Sequence, residues 1–359
     1  MKSVVRIFMV GMSTDKGGVE AYIQNLCSCL TEEYEVIFRL PEMIIDGKKW
    51  VCPPNRHNYL KYCSFWRRFF KKNRFDVLYY NTCDIVSIDL LRFAKKAGIP
   101  VRIIHSHNTE NQENRGMLHR YAEKMNRKNL SLYATDMFAC SKNAGEWMFK
   151  SKKFLVIKNG IDLKKYFFSE RARAEMRGKL GLVDEPVIGC VGRLDPQKNP
   201  LFTIEIAKEL CRLNSKAHIV MIGDGELREQ VLSAISNYKL EDCVHILGAR
   251  DDVYKWYSAF DCLVMPSFFE GLPFVLVEAQ ASGLPCVVSL AVSEEANITD
   301  VIEYISLEKS SHDWAKSVLE NCRKSRIDSA QKLEEAGYSI QNTANEVMGI
   351  INAELGEKV

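Results

Sequence analysis

Pro266-Ser-Phe-Phe-Glu270-Gly-Leu-Pro273-Phe-Val-Leu-Val-Glu278-Ala-Gln-Ala-Ser-Gly283-Leu-Pro285 lies between two short apolar runs, DCLVMP (261 to 266) and PCVVS (285 to 289). Proline suits the first position of a helix and glycine the residue after its last, with a second proline two positions beyond. The stretch therefore predicts a helix from near 273 to near 282, set between two parallel strands. The same alternation runs through the rest of the chain. Upstream, PVIGCVG (186 to 192), HIVMIG (218 to 223) and CVHILG (243 to 248) belong to the same series. An earlier series comprises VVRIFMV (4 to 10), YEVIFRL (34 to 40), DVLYY (76 to 80), VRIIH (101 to 105), DMFAC (136 to 140) and FLVIK (154 to 158). Two doubly wound α/β domains in tandem are expected, with ligands at the carboxyl ends of the strands and a cleft between the domains. Asn159-Gly160-Ile161-Asp162 gives a turn signal and SERARAEMRGKL follows, which places a linker at about 160 to 185. The expected division is 1–165, 166–340 and a C-terminal helix, 341–359, that crosses back to the first domain.

The chain has 359 residues, 47% hydrophobic and 26% charged, enough for two ordinary cores. The first residues lack the length and cleavage site of a signal peptide, and no run is apolar for long enough to span a bilayer. Cys27 and Cys29 form the only close pair among twelve cysteines and lack metal or redox spacing, so reduced thiols in a cytosolic protein are expected. The net charge of +3 hides an asymmetry: up to Asp162 there are 27 Lys+Arg against 16 Asp+Glu, and beyond it 22 against 30. A basic first half points to an anionic partner: nucleic acid, a phospholipid surface or a phosphate-linked substrate.

The punctuated helix carries chemistry. Unpaired N–H groups at Phe274, Val275 and Leu276, with the helix dipole, form an anion site suited to a diphosphate. Glu270 precedes that turn and Glu278 lies eight positions on, so one carboxylate can face a transferred sugar while the other reaches ribose hydroxyls. In Gly192-Arg193-Leu-Asp-Pro-Gln-Lys198-Asn199-Pro200, Asn199 is the expected N-cap with Pro200 at the first helical position. Arg193 and Lys198 then sit on a strand-to-helix loop, either as solvated surface charges or as cations that neutralise a diphosphate.

Together these segments resemble family 4 of the retaining glycosyltransferases, of GT-B fold, over nearly the whole chain. The resemblance rests on Lys16-Gly17-Gly18-Val19-Glu20, Cys140-Ser141-Lys142, Asn159-Gly160-Ile161-Asp162, Gly192-Arg193-Leu194 with Lys198, Gly223-Asp224-Gly225-Glu226-Leu227, and Glu270 through Glu278, in the family's order. It implies that Arg193 and Lys198 bind the donor diphosphate, Glu278 the ribose, and Glu270 the sugar or its reacting face. It also implies that Gly17 and Gly18 let a loop of the first domain approach the distal phosphate; an ordinary strand-to-helix turn is the alternative. The implied reaction is sugar transfer from a nucleotide diphosphate donor to a glycan hydroxyl, with the leaving phosphate taking the acceptor's proton and no protein general base. No Asp-x-Asp triplet occurs, and neither a metal nor a cofactor is expected.

His105-Ser106-His107-Asn108 ends the fourth strand of the first domain. Alternation puts both histidines on one face, and His107 resembles the family's active-site histidine. Zinc ligation and a structural hydrogen bond are the other readings of the pair. The segment Leu290 to Thr299 lacks the Gly-Gly and glutamate of many members, and with His-Ser-His-Asn resembles the branch associated with capsule and exopolysaccharide assembly. That branch suggests uridine, with Arg250 near the base, and a lipid-diphosphate-linked acceptor. A sugar-nucleotide epimerase of the same fold and a non-catalytic nucleotide-sugar sensor are the alternatives. Between Tyr59 and Arg74, aromatics alternate with cations; on a helix the aromatic face packs on the sheet or meets a membrane. Arg67, Arg68, Lys71 and Lys72 are expected to face an anionic membrane surface at the inner face of the cell membrane, and no nucleic-acid motif accompanies them.

Overall fold

The computed structural model describes residues 4–13, 17–39, 49–108, 116–270 and 272–356. The chain divides into two compact units, Met1–Gly160 with Ile340–Val359, and Ile161–Ser339.

In the first unit β1 (Val5–Val10), α1 (Gly18–Ser28), β2 (Tyr34–Arg39), β3 (Lys49–Val51), α2 (Tyr59–Lys72), β4 (Val77–Thr82), α3 (Asp89–Lys96), β5 (Val101–Ser106), α4 (Met117–Tyr133), β6 (Asp136–Ala139), α5 (Lys142–Phe149) and β7 (Leu155–Val156) follow in turn. The strands form one parallel sheet in the order β3-β2-β1-β4-β5-β6-β7. Side chains alternate across it. Phe8, Val10, Leu78 and Ile104 face the layer of α2 to α5, where Trp66, Phe70, Leu91 and Leu130 join one apolar core. Phe8 is the hub, 5.6 Å from Trp66 and 5.3 Å from Phe69 between ring centroids. Because β1 to β2 runs across the sheet in the direction opposite to β4 to β5, right-handed crossovers put α1 on the other face.

The second unit contains α6 (Leu163–Tyr166), α7 (Glu170–Gly178), β8 (Val187–Val191), α8 (Pro200–Leu213), β9 (His218–Ile222), α9 (Arg228–Tyr238), β10 (Val244–Ile246), α10 (Val253–Ala259), β11 (Cys262–Met265), α11 (Phe274–Ala281), β12 (Cys286–Ser289), β13 (Ile302–Ile305), α12 (Ser311–Asn321) and α13 (Ala330–Glu335). Its parallel sheet has the order β10-β9-β8-β11-β12-β13. The order reverses at β8 and β11, so the crevice for a ligand opens at their carboxyl ends. The last helix, α14 (Ile340–Glu354), packs against α1 of the first unit, where Asn352 also bonds Tyr34.

Two expectations need correction. The segment 160 to 185 is not a linker. Ser169 caps α7 by accepting from Ala172 N at 3.2 Å, and Arg173 and Arg177 both clasp Asp261. The division falls at 160/161. Strands β3 and β13 were not expected, because the three residues of KWV and the four of IEYI, interrupted by Glu303, are too short to give a clear apolar signal. On α2, Tyr62, Trp66 and Phe70 are buried, whereas Arg67, Arg68, Lys71 and Lys72 are exposed. The aromatic face is therefore core and the cations are its solvent side.

Candidate functional site

In the second unit, three loops at the carboxyl ends of β8, β9 and β11 are laced together. Gly192 N donates to Ile222 O at 3.0 Å, Leu194 N to Asp224 O at 3.0 Å and Leu227 N to Leu194 O at 2.9 Å. The loops sit so close that a Cβ on Gly223, where φ is +146°, would lie 1.8 Å from Gly192 O. Phe268 N bonds Gln197 O at 2.9 Å and Gln197 Nε2 bonds Phe269 O at 3.0 Å, which fixes the segment before Glu270 against the β8 loop. This backbone lattice sets the charged side chains.

Lys198 Nζ meets Glu270 Oε1 at 2.5 Å, and both side chains are largely removed from solvent. The two residues expected on diphosphate and sugar thus contact each other. Arg193 is half exposed and pairs with Asp195 at 2.8 Å. Asp195 also caps the short turn Pro196–Lys198 by accepting from Lys198 N at 3.0 Å, so one carboxylate positions both cations. Asn199 was the expected N-cap. It does hold that position, with Pro200 as the first residue of α8, but in a left-handed conformation with φ 54° and without a side-chain cap bond. The Asp195-Pro196 pair four residues earlier supplies the side-chain cap, for the turn Pro196–Lys198.

Helix α11 begins at Phe274, with Pro273 as its N-cap rather than its first residue. Leu276 N donates to Pro273 O at 3.1 Å, so the expected set of three unpaired N–H groups shrinks to Phe274 and Val275 among the described residues. Glu278, one turn further, accepts from Tyr166 OH at 2.8 Å and from Tyr257 OH at 2.5 Å. Burial pushes its carboxyl above the usual range, against the opposing pull of the two hydroxyls and of Lys165. Burial and the carboxylate raise both phenols, which keeps them as donors. Each Glu278 oxygen retains a lone pair for a further donor such as a ribose hydroxyl. Arg250 forms a two-pronged pair with Asp252 through Nε and Nη2 at 2.6 and 2.8 Å and lies 5.9 Å from the Trp256 ring, so two of its three guanidinium nitrogens are engaged by Asp252.

In the first unit Gly17 is the N-cap of α1 and Gly18 its first residue. A Cβ on Gly17 would lie 2.8 Å from Glu20 Oε2, and the other oxygen of Glu20 takes a bond from Ser13 Oγ at 2.6 Å. Beyond the end of β5, His107 Nε2 contacts Asn81 Oδ1 at 2.9 Å. Asn81 Nδ2 donates to Val10 O at 3.0 Å, which fixes the amide so that Oδ1 can only accept. The proton of His107 is therefore on Nε2 and its Nδ1 is an acceptor. Burial pushes the His107 pKa down to about 3, so the ring is neutral at ordinary pH. Behind it, with ring centroids 4.1 Å apart, His105 is fully buried. Its Nδ1 pairs with Tyr79 OH at 3.1 Å, and Tyr79 OH with Tyr22 OH at 2.8 Å. Sequence reading missed Asp195, Tyr166, Tyr257 and Asn81. Only Asp195, before a proline and after the arginine, carried a local signal.

Two doubly wound α/β units, with a helix terminus and two cations at the sheet switch point of the second, form a site suited to a phosphate-bearing ligand. Residues 172–339 match the family model described as Glycosyl transferases group 1, and residues 16–165 match Glycosyltransferase Family 4. EpsF of Bacillus subtilis strain 168, a protein named as a glycosyltransferase, is 30% identical over 269 residues, 72% of this chain and 70% of EpsF. The Escherichia coli UDP-Gal:alpha-D-GlcNAc-diphosphoundecaprenol alpha-1,3-galactosyltransferase is 32% identical over 235 residues, 62% of this chain and 59% of that enzyme. The crystal structure of Anabaena HepE in complex with UDP superimposes with a TM-score of 0.77 at 18% identity, covering 97% of this chain and 100% of HepE. The chain belongs to the family 4 glycosyltransferases and has the GT-B fold.

Proposed function

We propose that this glycosyltransferase moves a hexose or N-acetylhexosamine from a UDP-sugar, with retention and without a metal, to a hydroxyl of a lipid-diphosphate-linked glycan in polysaccharide assembly. The observation that carries this reading is the cluster of Arg193, Lys198 and the first turn of α11 at the carboxyl ends of β8 and β11. In the proposed reaction the bond from the anomeric carbon to the diphosphate breaks, and the acceptor oxygen bonds that carbon on the same face. The acceptor's proton passes to the departing phosphate. Negative charge grows on the diphosphate, where Arg193, Lys198 and the Phe274 and Val275 N–H groups stabilise it more in the transition state than in the ground state. Glu278 accepts from the ribose, Gly17 and Gly18 admit the distal phosphate, and Glu270 and the neutral His107 orient the sugar. Arg250, held by Asp252, remains the candidate contact for the base. UDP in the HepE complex and the names of the E. coli relative's donor and acceptor support the choice of UDP and of a lipid carrier.

The same reading places the protein at the inner face of the cell membrane, with Arg67, Arg68, Lys71 and Lys72 toward anionic lipid. The α2 cations stand exposed for this role.

A panel of UDP-, GDP- and dTDP-sugars, assayed in EDTA for nucleotide release with and without a lipid extract from the source cells, tests the reaction. UDP release that requires the extract, and a product whose anomeric configuration matches the donor by NMR, are expected. An inverted linkage, or activity abolished by EDTA and restored by manganese, contradicts the mechanism.

A further inference from the structure

Helix α4 has one buried face and one exposed apolar face. Its inner face carries Leu130, which joins the core, and the buried Glu123 and Asn126, whose amide bonds Ile85 O at 2.9 Å. Its outer face carries Met117, Leu118, Tyr121, Met125 and Leu132, which are 86%, 84%, 64%, 40% and 57% exposed. At about 100° per residue these five fall within one arc of roughly 100°, opposite the buried face. Scattered surface leucines need no explanation, but Met117, Leu118, Tyr121 and Met125 make an unbroken stripe along the first two turns, and Leu132 lies two turns on, past the exposed Lys128 in the same arc.

The charges around the stripe select its partner. Five lysines and arginines lie on α2, three on α3 and four on α4, against a single acid each on α3 and α4 and none on α2. Those two acids, Asp89 and Glu123, are buried. α3 lies against both α2 and α4, so the three outer faces form one layer. An apolar ridge flanked by Lys124, ended by Lys128 and backed by the exposed α2 cations matches the two zones of an anionic bilayer, acyl chains and phosphate headgroups.

We infer that the exposed stripe Met117, Leu118, Tyr121, Met125 and Leu132 of α4 inserts into the headgroup boundary of an anionic bilayer, as the apolar anchor to which the α2 cations are auxiliary. α4 begins ten residues after His107, on the carboxyl-edge side of the first sheet, so the anchor brings that edge to the membrane. The inference rests on the proposed membrane location and adds the element that enters the lipid.

Sedimentation of the full chain with phosphatidylcholine vesicles containing 30% phosphatidylglycerol, at low and high salt, tests it. Binding of wild type should weaken with salt but persist, because the apolar component is not screened. The variant Met117→Ser, Leu118→Ser, Tyr121→Ser, Met125→Ser should lose at least about tenfold in vesicle affinity at both salts, while UDP affinity and the thermal midpoint stay unchanged. In a Tyr121→Trp variant, fluorescence of the introduced indole should shift to the blue and be quenched by brominated lipid. Vesicle binding that is equal in wild type and the four-residue variant overturns the proposal, as does an indole in the Tyr121→Trp variant that brominated lipid never quenches. Self-association that the serine variant abolishes, without vesicle binding by wild type, also overturns it and makes the stripe an interface between copies. UDP binding and transfer to a soluble acceptor read the donor site separately, so failure at the membrane leaves the transferase reading standing.

Discussion

The carboxyl edges of the two sheets are built differently. In the second unit, backbone hydrogen bonds join the loops after β8 and β9, and Gly223 leaves no room for a methyl group between them. Charged side chains then pair on that rigid frame, Lys198 with Glu270 and Arg193 with Asp195. In the first unit, the edge at His107 rests on side chains, a buried chain of Tyr22, Tyr79 and His105 with Asn81 fixing the tautomer. A fixed backbone frame suits a constant ligand portion such as a diphosphate. A frame of side chains can change with the acceptor while the sheet stays the same.

The largest expected effect breaks the backbone frame. Gly223→Ala should cost about 4 kcal/mol in chemical denaturation, because the clash is with a carbonyl and the conformation is one that L side chains rarely adopt. Gly98→Ala in the first unit, at φ +79° with nothing within 4 Å of the new Cβ, should cost only about 1 kcal/mol. Equal costs would show that the second unit's loops are not locked as described.

A smaller effect concerns Glu278. Removing the Tyr257 hydroxyl in Tyr257→Phe leaves a buried carboxylate with one donor fewer, so its pKa rises further. With Glu278 proposed to meet the ribose as a carboxylate, the acid limb of kcat/KM for the donor should move to higher pH. A pH profile identical to wild type would remove Glu278 from donor binding.

The smallest effect probes the first unit's buried imidazoles. Burial holds the pKa of His105 well below 6.5, with the neighbouring His107 as a second cause. The unfolded chain therefore takes up this proton first as pH falls. Stability contributed by the neutral ring is complete above about pH 6.5 and should decline below it by at most about 1.4 kcal/mol per pH unit. Denaturation midpoints of wild type and His105→Gln between pH 7 and 5 measure this: the variant should show the shallower slope.

Much of the fold was legible because the strands are buried on both faces and read as β-branched runs between helical stretches. The short edge strands β3 and β13 escaped, and α7 was hidden by its charge, since its Arg173 and Arg177 are held by Asp261 from a distant strand rather than by any local pattern. Local chemistry gave Arg193, Lys198 and the punctuated α11, because glycine and proline mark the loops that hold them. Tyr166 and Asn81 carried no such mark, as each acts on a residue brought near only by the fold. The exposed stripe of α4 escaped because its apolar residues recur at helical spacing, a period that by itself reads as a core-facing side, while the face that is buried carries Glu123 and Asn126.

The central claim is that Arg193, Lys198 and Glu278 bind the nucleotide diphosphate while His107 meets only the sugar. Calorimetric titration of UDP in EDTA into wild type, Arg193→Ala, Lys198→Ala, Glu278→Ala and His107→Ala tests it most directly. The expected result is a loss of about tenfold or more for each of the first three variants and wild-type affinity for His107→Ala. Unchanged affinity in the first three, or a loss confined to His107→Ala, would contradict the account.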